Sequence, residues 1–350
     1  MSPFRWRHGA ALFLLALFST SIFSCRHDSA SRVVVYCAHD QEFAAAILDD
    51  FKIQSGLDVV VRYDTEANKS VGLYEDLIRE AKQPRCDVHW NNEILATIRL
   101  QQQGILQPYG SPSSAPYPAL FKAKDHTWTA FAARARVLLV NTDKVKKDDY
   151  PKSLWDLTQP RWKGQIAMAK PLFGTTATQA ACLFQAWGPD KASDFYRQLH
   201  ANNVQLAPGN KQVAVGVGAG QFAIGLTDTD DAFDEIDVGR HVVMLFPDGD
   251  APEGSERGVL FIPNTVAMIK GCPNPEGAKK LIDYLLSPEV ETKLATSKSR
   301  QIPLNPEVKL DSLKPIETPQ TVRSLPVDFV QAAESWKVSQ AFLAQEFSLR

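Results

Sequence analysis

Beyond residue 25, this 350-residue chain has no apolar run long enough to cross a bilayer, which excludes a helical membrane domain. It has no surplus of positive charge either. Its 38 Lys and Arg stand against 40 Asp and Glu, a balance that argues against a nucleic-acid partner. GxSxG, HExxH and GxxxxGK[ST] are absent, so no nucleophile elbow, zinc-protease helix or phosphate loop can be assigned. The run from Gly216 to Gly220 misses the GxGxxG spacing and follows no strand signal. The five cysteines form no CxxC, and the seven histidines are scattered without metal-ligand spacing. No internal repeat or low-complexity tract is present. These absences disfavour an enzyme and leave a ligand-binding protein or a structural envelope protein.

What is present begins at the N-terminus. Arg5, Arg7 and His8 precede the uncharged apolar stretch Ala10 to Phe18, and Ser19 to Ser24 are small and mixed. That is the pattern of a secretory signal over residues 1–24. Ile22-Phe23-Ser24-Cys25 resembles a bacterial lipobox, which implies lipidation at Cys25, a short tether over 25–32 and attachment to a membrane in the periplasm or cell envelope. Removing the first 24 residues takes away two arginines and no acids, and moves the formal net charge from −2 to −4. The remaining length suits two domains or one large one. Cys37, Cys86, Cys182 and Cys272 remain, and an exported chain could pair them; buried thiols are the plainer reading. Cys37 follows one expected strand and Cys86 precedes another. If those strands are parallel neighbours, the thiols lie at opposite ends of the sheet and cannot bridge.

The pattern along the chain alternates strands and helices. Val33 to Tyr36 reads as a buried strand, with Asp40 able to cap the helix whose apolar stripe is Phe43, Ile47 and Phe51 and whose stop is Gly56. Strand 57–63, helix 73–81, strand 87–90 and a helix stopped by Gly104 follow. This rhythm implies an α/β fold with a mainly parallel sheet covered on both faces. Residues 108–118 hold four prolines and three serines and read as a boundary loop. The rhythm restarts at the strand 136–141. Strands at 165–169, 222–226 and 241–246, an extended stretch at 258–269, and helices at 176–187, 191–202, 276–286 and 329–347 complete it.

Several segments now resemble one family. They are Ser55-Gly56-Leu57-Asp58-Val59, Cys86-Asp87-Val88, Gln103 to Pro108 and Ala135 to Asn141. Tyr150 to Leu157 running into Pro160-Arg161-Trp162-Lys163-Gly164 is the most specific, with Gly220 to Leu226 and Pro273 to Lys280 beyond it. Together they are similar to the extracellular solute-binding proteins of the ferric-iron-binding type, which serve ABC importers. The resemblance implies a two-lobed periplasmic-binding-protein fold with a hinge and an interlobe ligand cleft. It also implies a permease partner in the inner membrane, a monomer and no catalysis. Lobe 1 would comprise 33–134 with about 259–312, and lobe 2 would comprise 135–258 with about 313–350.

In open α/β sheets, ligands sit beyond the carboxyl ends of strands, beside helix N-termini. That rule nominates His39 and Asp40 after the first strand. It also nominates Gly174, Thr175 and Thr176 as an anion nest and Asn210 at another helix start. The resemblance adds a histidine near His39, an asparagine at Asn210 and an arginine in the segment holding Arg134. Strand alternation places Arg136 on the same face as Arg134. Iron-binding relatives carry two adjacent tyrosines after the strand at 222–226; here the corresponding loop reads Thr227-Asp228-Thr229-Asp230-Asp231-Ala232. Phenolate ligation from that position is ruled out, whereas Asp228, Thr229, Asp230 and Asp231 could hold an ammonium or a hard cation. An acidic loop facing an anion nest favours an amine-bearing anion such as an aminoalkyl-phosphonate. The alternatives are a ferric ion held by carboxylates and a bridging anion, with His39, Asp228 and Asp230 as ligands, or a sugar phosphate. No cofactor is expected beyond a metal ion or anion carried as cargo. Trp90, Trp128, Trp155 and Trp162 could line the cleft, the last two being better suited to the core.

Overall fold

A computed structural model describes residues 31–64, 71–309 and 316–348, besides Met1. The export segment and Cys25 lie outside these residues. The chain opens with β1 (Arg32–Cys37), α1 (Gln41–Ser55), β2 (Asp58–Tyr63), α2 (Gly72–Arg79), β3 (Val88–Asn91), α3 (Ile94–Gln102) and the short β4 (Leu106–Gln107). A 13-residue strand, β5 (Thr129–Asn141), carries it onward. β6 (Ile166–Ala169), α4 (Gly174–Trp187), α5 (Pro189–Ala201), β7 (Gln205–Ala207), α6 (Asn210–Gly218), β8 (Ile224–Asp228), α7 (Thr229–Asp237) and β9 (Val242–Leu245) follow. β10 (Phe261–Ile269), α8 (Pro275–Leu285), α9 (Pro288–Thr296) and α10 (Phe329–Glu346) close it.

Local sequence accounts for most of these elements. The β-branched run of β1 fills the core, and α1 buries Ala44, Ile47, Leu48 and Phe51 before Gly56, at φ 70°, ends it. Asp40 occupies the N-cap position of α1, but its side chain makes no capping bond, contrary to expectation. Gly225 of β8 matters through its size. A Cβ there would meet Val213 Cγ1 at 2.6 Å and Val217 Cγ2 at 2.8 Å, so its absence lets α6 lie flush on the strand.

The strands form one sheet in the order β2-β1-β3-β10-β5-β8-β6-β7, with β4 beside β10 and β9 beside β5. Within one half β1, β2 and β3 are parallel; within the other β6, β7 and β8 are parallel. The sheet is not parallel throughout, because β5 and β10 cross between the halves in opposite directions. Thr129 to Ala135 of β5 pair with β10, while Arg136 to Asn141 pair with β8 and β9. All 13 residues of β5 are buried: Arg136 to Val140 lie among β8 and β9, Thr129 to Ala135 lie against β10, and α6, α7 and α9 pack on the strand. Cys37 sits beside Trp90, and Cys86 lies two residues before Val88, which pairs with Val35. The two thiols are therefore at opposite ends of the β1–β3 pair, as a parallel alignment requires.

The crossing has an irregularity that shapes it. Register shifts between Pro263 and Asn264, where proline has no N–H for the ladder. Opposite it Ala132 takes φ 42°, and its N–H leaves the ladder to donate to Glu291 Oε1 at 2.5 Å. Glu291, fully buried on α9, also accepts from Leu304 N (3.0 Å) and Asn305 N (2.6 Å). One carboxylate therefore ties the bulge to the segment after α9. Burial pushes this carboxyl above the ordinary range, although the three N–H donors oppose that shift.

Two predictions follow from these buried groups. Glu291→Ala strands three buried N–H groups, so it should cost about 3–5 kcal/mol, with Glu291→Gln losing less. A fall in the urea midpoint without a change in m would register this. His89, buried on β3, donates from Nδ1 to Tyr36 O (3.0 Å), and burial lowers its pKa to about 4. The unfolded chain, at about 6.5, takes up that proton first as pH falls. The stability is therefore present above pH 6.5 and lost between 6.5 and about 4, about 3 kcal/mol in all. His89→Phe should flatten the stability curve in that window, measured by denaturation at stepped pH.

Candidate ligand-binding site

Five strand ends converge on one pocket. Asp40 follows β1 and Asn92 follows β3. Phe173 to Thr176 follow β6, Gly209 and Asn210 follow β7, and Asp228, Asp230 and Asp231 come from the end of β8 and the start of α7. Arg134 enters from β5, where the two halves meet. The lining surrounds about 420 Å³ of non-atom space, open solvent at the mouth included. Nine of the eleven residues nominated from sequence line it: Asp40, Arg134, Gly174, Thr175, Thr176, Asn210, Asp228, Asp230 and Asp231.

One wall suits an anion. Gly174 begins α4 at φ 58°, where a Cβ would meet nothing within 4 Å, so the backbone angle rather than space requires glycine. Phe173 before it is extended and offers no side-chain cap, and Gly209 before α6 offers none either. Two uncapped helix N-termini thus border the same space, and both carry partial positive charge. A hydrogen-bond chain fixes them together. Thr176 Oγ1 donates to Asn210 Oδ1 (3.0 Å), and Asn210 Nδ2 donates to Thr175 Oγ1 (2.8 Å) and Asp228 Oδ2 (3.0 Å). Thr175 Oγ1 in turn donates to Asp228 Oδ2 at 2.5 Å.

Asp228 has a different role from the one its sequence position suggested. It is buried and receives Arg136 Nη1 at 2.8 Å as well as Thr175 and Asn210. Arg136 stands directly opposite Asp228 in the β5–β8 register, and its Nε donates to Gln179 Oε1 at 3.1 Å. Arg134 and Arg136 therefore divide the work. Arg134 lines the pocket, and Arg136 anchors the carboxylate that orients the anion wall. The segment 227–232 is not a loop. Thr227 and Asp228 continue β8, and Thr229 starts α7 without a break. A cross-strand ion pair extends the strand where the sequence offered no apolar residue.

The adjoining lining is acidic, with carboxylate oxygens of Asp230 and Asp231 within 4.8 Å of one on Asp228. Arg134 Nε donates to Asp230 Oδ2 at 3.1 Å, and Nη1 donates to Asn92 O at 2.7 Å. Burial would lower the guanidinium pKa, but Asp230, Asp228, Asp40 and Asp231 outweigh it and hold the group above its ordinary value. Four carboxylates thus surround two guanidiniums, leaving a formal surplus of two negative charges around the pocket.

Two nominated residues lie off the wall. His39 is 2 % exposed, stacked on Trp90 at 5.4 Å, and sits beneath the pocket. Arg134 Nη2 lies 3.2 Å from its Nδ1, and a guanidinium can only donate, so Nδ1 accepts. Its Nε2–H then faces the Gln301 amide oxygen at 2.9 Å. With both ring nitrogens engaged, His39 orients Arg134 instead of reaching the cavity. Thr229 is fully buried, and its Oγ1 accepts from Ala135 N at 3.2 Å, holding α7 to β5. Trp90 and Trp128 belong to the core, not to the cleft lining. Asn92, Ala169, Phe173 and Gly209 line the pocket without having been nominated. Asn92 was accessible to the strand-end rule, since it follows the strand expected at 87–90.

Asp228 and Arg136 give a test of this framework. Arg136→Met leaves a buried carboxylate without its cation and should cost about 3–5 kcal/mol. Adding Asp228→Asn should recover much of that loss, because the remaining amide still accepts from Thr175. Chemical denaturation of the two variants measures both steps.

Comparison with known proteins agrees with this geometry. The family model described as bacterial extracellular solute-binding protein matches residues 96–332. The major ferric iron-binding protein of Neisseria meningitidis serogroup A is 25 % identical over 300 residues, covering 82 % of this chain and 86 % of the relative. A putative 2-aminoethylphosphonate-binding periplasmic protein of Salmonella typhi is 27 % identical over 149 residues, covering 41 % and 43 %. The crystal structure of iron-bound HitA from Pseudomonas aeruginosa superposes with a TM-score of 0.80 at 20 % identity, covering 90 % of this chain and 99 % of that one. The fold is the two-lobed binding-protein fold with its ligand cleft between the lobes, and the chain belongs to the bacterial extracellular solute-binding proteins, a family of binding proteins and not of enzymes.

Proposed function

We propose that this protein captures an amine-bearing anion of the aminoalkyl-phosphonate class and delivers it to the permease of an ABC importer. The observation that carries this reading is the division of the pocket. Two uncapped helix N-termini and a threonine–asparagine chain form one wall, and Asp40, Asp230 and Asp231 form the other. A phosphonate accepts from the first wall, and an ammonium satisfies the carboxylates of the second. The relative described as binding 2-aminoethylphosphonate supports the same ligand class.

In this reading the protein is exported by its signal, held to the envelope through Cys25 and acts as a monomer in the periplasm. Lobe 1 is 33–134 with about 259–312, and lobe 2 is 135–258 with about 313–350. The β5 pairing change between Ala135 and Arg136 supports a division at that point.

A second reading has its own observation. One carboxylate oxygen from each of Asp228, Asp230 and Asp231 lies within 4.8 Å of the others, close enough for a hard cation. Ferric relatives point the same way. Against it, Asp228 and Asp230 each already hold an arginine, which a metal would have to displace.

Calorimetric titration with 2-aminoethylphosphonate, inorganic phosphate, fructose 6-phosphate, Ca(II) and Fe(III)-citrate separates these readings. The aminophosphonate should bind most tightly. Asp231→Asn should weaken it about 10–100-fold while leaving phosphate unchanged, and Thr176→Val should weaken both. Binding of Fe(III)-citrate alone, lost in Asp231→Asn, would replace the aminophosphonate by a metal.

A further inference from the structure

The turn after α9 belongs to the same half as α1 and β1, yet it reaches the other half. Ile302 exchanges backbone hydrogen bonds with Ala133 of β5, both at 2.7 Å, and Gln301 meets His39, so the turn is fixed to the crossing. Arg300 projects from it at φ 43°. Its Nη2 donates to both carboxylate oxygens of Asp237, at 2.5 and 2.7 Å, and its guanidinium lies 4.3 Å from the centre of the Phe233 ring. The Arg300 side chain is only 12 % exposed. Phe233 and Asp237 are on α7, which packs on β5, β8, β9 and α6. Asp237 ends that helix, where a cation also meets the negative end of its dipole.

A second bridge spans the same gap. Lys211, in the first turn of α6, places Nζ 3.1 Å from Glu42 of α1 and 3.7 Å from Asp234 of α7. Burial lowers this ammonium's pKa, but the bond to Glu42 together with the charges of Glu42, Asp234 and Asp231 outweighs it and leaves a net upward shift. Asp40, Glu42, Lys211, Asp230, Asp231 and Asp234 border one outer cavity next to the ligand pocket, so this bridge stands at the mouth.

We propose that Arg300–Asp237 and Lys211–Glu42 form an interlobe clamp that holds the cleft closed before any ligand binds. Arg300 carries the larger share and acts as a positioning residue for α7, the helix that begins with Asp230 and Asp231 next to the ligand pocket. The proposal rests on the reading of that pocket as the ligand site, but its central test uses no ligand. An exposed pair shifts a closed-to-open ratio by about 2–5-fold. Arg300 is shielded and stacked on a ring, so the two bridges together should be worth about 10-fold. Salt should weaken mainly the exposed Lys211 bridge.

The test is small-angle X-ray scattering of the processed, unliganded protein at 20 and 500 mM NaCl. Wild type at low salt should scatter as the closed form, with a modest expansion at high salt. Arg300→Gln with Lys211→Gln should expand the particle at both salts, and Arg300→Asp with Asp237→Arg should return it toward the closed dimensions. Near-ultraviolet circular dichroism confirms that each variant is folded; if the glutamine variant is not, the charge exchange and the wild-type salt series still decide. Superimposable curves for wild type and the glutamine variant, or a wild type already open at low salt, would overturn the clamp. Titration of the same variants with 2-aminoethylphosphonate keeps the two readings apart. An open wild type that still binds sinks the clamp alone, whereas a closed wild type that binds none of the panel sinks the ligand reading alone.

Discussion

The site depends on a pair of arginines on consecutive same-face positions of one strand. Arg134 and Arg136 sit where β5 passes from one half of the molecule to the other, and each is buried against an aspartate delivered by the end of β8 or the start of α7. A buried ion pair is a weak source of net stability, because desolvation offsets most of the attraction. What it supplies here is placement. With Arg136 fixed, Asp228 can hold Thr175 and Asn210, and through them the N-termini of α4 and α6 face one another. With Arg134 fixed, Asp230 is drawn toward the crossing. The anion wall and the acidic wall are therefore built from the same two residues, and neither wall can move without the crossing strand.

That arrangement explains why the pocket lies where it does. Parallel strands in each half aim their carboxyl ends, and the helices that follow them, at the junction. The antiparallel crossing strands bring the two sets of ends face to face. The bulge at Ala132 adds a local turn in β5 two residues before Arg134, and Glu291 holds that turn from the far side. The fold thus sets the position of each arginine through backbone geometry, and the arginines set the ligand-facing groups through charge.

The sequence made much of this legible. Alternating strands and helices, the restart after residue 134, the stop at Gly56 and the glycine at the start of α4 could all be read locally, because each depends on periodicity or on a backbone angle. Most of the pocket lining was reached by the strand-end rule together with the family resemblance, which supplied Arg134. What failed was whatever depended on a partner distant in the chain. Thr227 and Asp228 read as loop because nothing local signals a strand; only Arg136, some ninety positions away, makes that extension favourable. His39 read as a ligand because its neighbours at Gln301 and Arg134 are invisible in sequence. Asn92 was overlooked although the rule applied to it; in the structure Glu93 beside it caps α3.

The charge count limits what the pocket can hold. Asp40, Asp228, Asp230 and Asp231 face Arg134 and Arg136 at the junction, and low dielectric makes the excess negative charge costly unless a ligand compensates it. A bare anion would satisfy the helix ends and worsen that excess. A bare cation would satisfy the carboxylates and leave two helix N-termini uncapped. Each wall therefore disfavours the ligand that the other wall would accept alone. On the proposed reading, selectivity for a molecule carrying both charges then needs no contact specific to its carbon skeleton. On that reading it follows from helix N-termini and carboxylates meeting in one pocket, both held by the arginines of β5.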